Sequence, residues 1–318
     1  MTLYIQEAAL MMTVQDGGRF GYQRYGMPES GPMDGWAFQA ANRLVGNEPG
    51  AACVEVGFSS AEITIGRRVL LAVCGAGYSL SVNKRTLPMW MAFLAKPGDC
   101  IRMEKITGGS WAYLAAAGGI QSEVWMGSRS VYPAAGLGRK LTQGDRLPLG
   151  RSPAEAELVP GCSFPPAARP AYSTEPVIRV IPGPHLGWFT SESWDAFCQG
   201  AYGVSTQSDR MGYRLTGPTL THHRGADLVS QGMVQGEIQV PGDGQPIVMM
   251  PDHPTTGGYA CIATVIKSDL PVLTQVEPGR GSVSFKPISL DAAHSAWVEV
   301  NKMITSAILF EEDPWLGL

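Results

Sequence analysis

The chain has 318 residues, 44% of them apolar and 16% charged, with a formal net charge of −4. That composition is globular rather than disordered, and the length sets a prior of about two domains. The sequence has no basic run or Lys/Arg stripe, which removes the electrostatic footprint of a nucleic-acid binder. The short apolar stretch 8–14, between Glu7 and Asp16, is neither a signal peptide nor a membrane span.

In chain order, the first helical pattern covers residues 34–45, with Asp34 as its N-cap and Gly46 as its stop. Short runs rich in Val, Ile and Leu, bounded by Gly, Pro, Asn and Asp, predict strands over 53–58, 61–65, 69–74, 100–103 and 111–116. Residues 151–176 carry Pro153, Pro160, Pro165, Pro166, Pro170 and Pro176 and read as a semi-rigid connector. This divides the chain into 1–165 and 166–318. Further strands are predicted over 177–181, 236–240, 247–250, 260–266 and 272–276. Helices are predicted over 188–198 and 289–304, the latter capped by Ser289. The fold expected is mainly β, a barrel architecture with a few peripheral helices. Arg19-Phe20-Gly21-Tyr22 and Arg210-Met211-Gly212-Tyr213 share an R-x-G-Y signature, a hint that two related barrels lie on either side of the connector.

Six scattered cysteines (Cys53, Cys74, Cys100, Cys162, Cys198 and Cys261) form no C-x-x-C pair. Several lie in apolar runs, so they read as reduced thiols in a cytoplasmic protein.

The densest polar segment is residues 13–22, where Asp16 and Arg19 flank paired glycines. The two either pin a turn as an ion pair or hold a ligand, with Tyr22 alongside. In residues 28–34 a loop enters the first helix, where free N–H groups suit a carboxylate or phosphate. Ser30 could bond such a group, Asp34 either contacts it or caps the helix, and Asn42 needs partners if buried. In the second half, Arg210 is a candidate for bidentate recognition of a carboxylate or phosphate, with Tyr213 beside it. Asp252 reads as a base or magnesium ligand. Thr255, Thr256 and Gly257 form a hydroxyl-and-glycine turn suited to an anion. There is no Walker loop, no H-x-x-x-H or H-E-x-x-H cluster, no G-x-S-x-G elbow and no biotinyl-lysine context. The residues alone lead to a β-rich, two-domain protein whose polar loops suit a small anionic ligand.

Those loops resemble a known family. Residues 13–22 (TVQDGGRFGY) and 30–34 (SGPMD) look like the opening signature of the KipA family. It is also called allophanate hydrolase subunit 2 or the biotin-dependent carboxyltransferase family, and includes 5-oxoprolinase components. Residues 40–47 (AANRLVGN), 127–130 (GSRS), 208–215 (SDRMGYRL), 238–241 (IQVP) and 255–259 (TTGGY) continue the match in order. The resemblance implies two cyclophilin-like β-barrels in one member of a multi-subunit, ATP-dependent 5-oxoprolinase. Its partners would be a KipI-like protein and a LamB/YcsF-like protein. Together they would open 5-oxo-L-proline to L-glutamate, with ATP and its magnesium bound somewhere in the complex.

Under that reading Asp16 and Asp252 are acid/base or metal-positioning groups, and Arg19 and Arg210 hold carboxylate or phosphate. Ser30, Asn42 and Thr256 orient the substrate. Two other readings remain open: the carboxyltransferase component of a biotin-dependent, urea carboxylase-like enzyme, and a non-catalytic regulator that binds a KipI-like kinase inhibitor. Glu237 and His253-Pro254 depart from the family pattern.

Overall fold

The computed structural model describes residues 2–151 and 160–310; Pro153 of the expected connector lies outside them. The chain divides into two compact units, Met1–Arg19 with Ser30–Pro170 and Lys302–Leu318, and Phe20–Glu29 with Ala171–Asn301. A single cut between residues 165 and 166 therefore misses two exchanges: a ten-residue stretch near the N-terminus belongs to the second unit, and the C-terminal segment belongs to the first.

The first unit is built from β1 (Thr2–Glu7), β2 (Met11–Gln15), α1 (Gly35–Leu44), β3 (Cys53–Gly57), β4 (Ala61–Ile65), β5 (Val69–Gly75), β6 (Tyr78–Val82), β7 (Arg85–Leu87), β8 (Ala92–Ala95), β9 (Cys100–Lys105), β10 (Trp111–Ala116), β11 (Arg146–Pro148) and β12 (Cys162–Ser163). One sheet runs β11-β1-β4-β9-β6-β7 and a second β2-β3-β10-β5-β8. The first alternates: in β4, Ala61, Ile63 and Ile65 are buried while Glu62 and Thr64 are partly open. Such a sheet packs one face and wets the other. In the second sheet β3, β5 and β10 are buried at every position, and α1 lies against β5 and β10. Phe38 of α1 meets Tyr113 edge-on, with centroids 5.9 Å apart. The helix begins where expected, because Asp34 Oδ1 accepts the N–H groups of Trp36 and Ala37 at 3.0 and 2.9 Å. It ends at Gly46, whose φ of 72° is easily reached only by glycine.

The second unit carries β13 (Val177–Pro182), α2 (Ser191–Gln199), β14 (Ala201–Val204), β15 (Gly212–Thr216), β16 (Asp227–Gly232), β17 (Glu237–Val240), β18 (Ile247–Met249), β19 (Thr256–Val265), α3 (Leu270–Thr274), β20 (Ser282–Pro287) and most of α4 (Leu290–Ser306). Seven strands close into a barrel in the order β13-β20-β14-β15-β18-β17-β19, with β19 returning to β13. Closure leaves those seven strands no free edge. β16 stays outside on β19, and its Val229 is 93% exposed. Phe197 of α2 stacks on Phe285 of β20 at 4.5 Å. After α4, β21 (Leu309–Phe310) pairs with β12.

Three expectations need correction. Residues 272–276 form no strand; they fall largely in α3, where Pro271 pre-sets the first helical turn. A short buried apolar run does not distinguish the two states by periodicity. The helix expected from residue 188 starts at Ser191, because Thr190 Oγ1 accepts the N–H of Ser193 at 3.2 Å and caps it there. The two R-x-G-Y copies fold differently: Gly21 and Tyr22 lie in a loop before a 3-10 turn at Gln23–Tyr25, whereas Gly212 and Tyr213 open strand β15.

Among the described residues no helix is long and apolar enough to cross a membrane. All six cysteines are free.

Candidate functional site

In the first unit the segment 16–19 is locked by a distant turn. Trp125 and Ser128 exchange backbone hydrogen bonds of 2.8 and 3.1 Å across Met126 and Gly127, whose φ values are 51° and 78°. This tight hairpin geometry aims the following donors at one carboxylate. Asp16 Oδ1 accepts from Ser128 Oγ at 2.6 Å and Ser130 Oγ at 2.7 Å, and Oδ2 from the Arg129 N–H at 2.6 Å. The N–H of Gly18 adds a fourth bond at 3.0 Å. Arg19 is fully buried and donates to the carbonyls of Trp125 and Ser130 at 3.2 and 2.7 Å. Asp16 and Arg19 thus dock on the same loop. Both side chains are held by this loop rather than by each other. The matched residues 127–130 acquire a physical role as this clamp.

Asp34 is fully buried as the cap of α1, and its own N–H donates to Tyr113 Oη at 2.7 Å. Tyr113 donates in turn to Glu55 Oε2 at 2.8 Å, which also accepts the Met33 N–H at 2.9 Å. Glu55 is fully buried in the middle of β3. Sequence reasoning missed it, although an acid inside Cys-Val-Glu-Val-Gly demands partners. Asn42 donates to the Ala51 carbonyl at 2.8 Å and accepts from Asn47 at 3.0 Å, so it ties the end of α1 to the next strand. Ser30 is different. Its φ is 57°, it is 8% exposed, and among the described residues its Oγ has no hydrogen-bond partner. Next to it, a Cβ on Gly31 would stand 3.4 Å from both the Asp16 carbonyl oxygen and the Gly18 Cα, so this loop packs on the clamped turn.

In the second unit Arg210 does recognise a carboxylate bidentately, but the carboxylate belongs to Asp252. Nε–Oδ2 and Nη2–Oδ1 are 2.8 and 3.2 Å. Tyr213 is fully buried and donates to the Thr274 carbonyl at 2.7 Å. Arg210, Asp252 and Tyr213 thus each make internal hydrogen bonds, and none lines the cavity described next. Tyr22 is half-buried, its ring 6.5 Å from that of Tyr25.

The remaining candidates meet at a cavity of about 360 Å³ on the barrel wall. β15 contributes Gly212 and Arg214, β18 Ile247 and Met249, and β17 Gln239, while Thr256, Gly257 and Tyr259 of β19 form another side. Asp209, Met211, Met233 and Pro254 complete the rim. Thr255 stands beside it, its carbonyl accepting the Met233 N–H at 3.0 Å. Gln239 is 2% exposed and donates to Met233 Sδ at 2.8 Å. Gly257 leaves room for the cavity side chains: a Cβ there would displace Met233 Sδ and stand 3.0 and 3.1 Å from the Gln239 amide atoms. A cation, an anion, an amide, a hydroxyl and polarizable thioethers thus surround one small volume, the mixed lining that orients a small ligand. Met233, Met249, Gln239 and Arg214 were not read from sequence. The methionines look like ordinary core; only Gln239, an amide in an apolar strand, carried a signal.

Residues 25–287 match the carboxyltransferase domain, subdomain A and B. The chain belongs to this family. The carboxyltransferase-family chain is 35% identical to the C component of the 5-oxoprolinase of Escherichia coli K12, over 92% of its own length and 94% of that protein. In structure it is similar to the K. lactis urea amidolyase, with a TM-score of 0.89 and 30% identity, covering 100% of this chain and 20% of that one. It is also similar to TTHA0988, with a TM-score of 0.81 and 33% identity, over 90% of this chain and 55% of that one. The family chain therefore spans nearly all of the E. coli relative, about half of TTHA0988 and a fifth of the amidolyase.

Proposed function

We propose that this carboxyltransferase-family chain is the C component of a multi-subunit 5-oxoprolinase that opens 5-oxo-L-proline to L-glutamate at the expense of ATP. The observation that carries the reading is end-to-end correspondence: the match takes in 94% of the E. coli protein. The partners are a KipI-like protein and a LamB/YcsF-like protein, and six free thiols suit a reducing cytoplasm.

The lactam carbonyl is a poor electrophile. Once ATP phosphorylates its oxygen, water adds to that carbon, and the ring C–N bond breaks to release the amine and leave an acyl phosphate. A second water displaces the phosphate to give L-glutamate. The barrel-wall cavity suits such a substrate. Arg214 offers a cation for its carboxylate, Gln239 an amide for its lactam, and Thr256 with the Gly257 backbone a place for the developing oxyanion. At roughly 30 Å³ per water-sized group, about a dozen such groups fill this volume. That is ample for 5-oxoproline. Among the described residues no group of three or more His, Cys, Asp or Glu could hold a metal ion. We assign ATP and its magnesium to the assembled complex. In the first unit Ser30 carries a buried hydroxyl with no hydrogen-bond partner among the described residues, and Asp16, Arg19, Asp34 and Asn42 set the loop that carries it.

Co-expression with the two partners tests the reading. ATP-dependent glutamate formation from 5-oxoproline should require all three chains. A second reading, a carboxyltransferase working with a biotin-bearing partner, is favoured by the family match itself. Carboxylation of urea that avidin abolishes, with no turnover of 5-oxoproline, would establish it and overturn the first.

A further inference from the structure

The second unit has another, smaller cavity of about 200 Å³, lined by Gln23, Glu29, Val234, Gln235, His253, Val265, Lys267 and Leu270. Its polar members come from separate places in the sequence. Gln23 and Glu29 lie in the Phe20–Glu29 segment that joins this unit, His253 follows the Arg210–Asp252 pair, and Lys267 follows β19.

The charges are what distinguish it. Glu29 and Lys267 carry opposite charges beside the same small volume. Among the described residues neither makes an ion pair with the other or with any other side chain. Each is nevertheless held in place. Glu29 Oε1 accepts from Gln23 Nε2 at 2.9 Å, which leaves Oε2 available. Lys267 Nζ lies 4.7 Å from the centroid of the Trp297 ring, a cation–π contact that positions an ammonium without neutralising it. His253 is 3% exposed, and its Nδ1 lies 2.6 Å from the Pro254 carbonyl. With Nδ1–H donating to that oxygen, Nε2 remains as an acceptor. His253 is one of the residues that departs from the family pattern, and the barrel-wall cavity does not use its side chain.

We infer that this cavity is a second ligand site, specific for a small α-amino acid in its zwitterionic form. Lys267 receives the carboxylate, Glu29 receives the ammonium, and His253 with the Gln23 and Gln235 amides faces the side chain. Two opposite charges that line one volume and do not pair with each other favour a ligand that carries both. At roughly 30 Å³ per water-sized group, about seven groups fit, the size of serine and far below a nucleotide. A lactam such as 5-oxoproline lacks the basic nitrogen and satisfies only Lys267. The inference does not depend on the function proposed for the larger cavity.

The test is isothermal titration of the purified full-length chain with L-serine, N-acetyl-L-serine and L-serinamide. The first carries both charges and each of the others lacks one. Serine should bind saturably at one site, and each capped form at least about tenfold more weakly, the scale of one charge-assisted contact. Glu29→Gln should erase the preference for serine over N-acetylserine. Lys267→Met should erase the preference for serine over serinamide. Absence of saturable serine binding, equal binding of the capped forms, or preferences that survive in both variants would overturn the inference. Both positions are partly or wholly exposed, and an unchanged thermal melt verifies folding. If either variant fails to fold, the three-ligand comparison on the unaltered chain decides alone.

Discussion

Arg210 grips both carboxylate oxygens of Asp252 where only 6% and 5% of the two side chains remain exposed. The Asp252 N–H also donates to the Arg210 carbonyl at 2.8 Å, so the two residues are joined through side chains and backbone at once. A buried pair of this kind contributes modestly when intact, yet removing one partner strands the other's charge.

Asp252→Ala should therefore destabilise the second unit by about 3–5 kcal/mol, and Asp252→Asn by less because it retains an acceptor. Urea denaturation followed by circular dichroism measures this. A loss below about 1 kcal/mol, the range of an exposed pair, would show that the pair is solvated.

Asp16→Ala removes the acceptor that gathers Ser128, Arg129 and Ser130. Hydrogen bonds to a charged group contribute about 1.5–3 kcal/mol, so a comparable loss is expected together with opening of the 125–130 turn. Limited proteolysis should find a new cleavage site there. An unchanged digestion pattern would mean the turn stands without the carboxylate.

Gly257→Ala tests the barrel-wall cavity. The added methyl collides with Met233 Sδ and crowds Gln239, while the strand backbone itself accepts alanine. The assembled complex should lose most of its kcat/KM for 5-oxoproline, with only a small fall in melting temperature. Full activity in this variant would remove the cavity from the reaction.

Glu237 yields a prediction in pH. Burial pushes its carboxyl above the ordinary 4.5, so the folded chain holds this proton more tightly than the unfolded chain does. The contribution is fully present below 4.5 and is lost as pH rises through the folded value. Glu237→Gln keeps an acceptor for the Val234 N–H, which donates to Oε1 at 3.2 Å, and escapes that loss. Its melting temperature should match the parent near pH 4 and exceed it at neutral pH. A gap independent of pH would show that ionisation of Glu237 is not the cause.

Local features were the most legible in the sequence. Asp34 and Gly46 bracket α1 because capping and left-handed backbone are decided within a few residues. β4 matched to the residue because its alternation is undiluted. The strand expected over 272–276 falls largely in helix α3, because an apolar run of that length satisfies both a strand and a buried helix. Thr256 and Gly257, singled out through their paired-glycine context, line the barrel-wall cavity. The destination of the Asp16 carboxylate was not, because its partners lie more than a hundred residues away. Arg210 shows the other limit: its chemistry was read correctly, but only the fold shows which carboxylate it meets.

The way the two units share the chain bears on how the protein is made. Residues 20–29 leave the ribosome early, yet they belong with a unit whose barrel needs β20, ending at Pro287, before β13 has both neighbours. Until then the early segment has nowhere to settle. A truncation at Pro170 would strand that segment for good, and a fragment starting at Ala171 would lack Gln23 and Glu29. A single cut at residue 170 therefore divides both units.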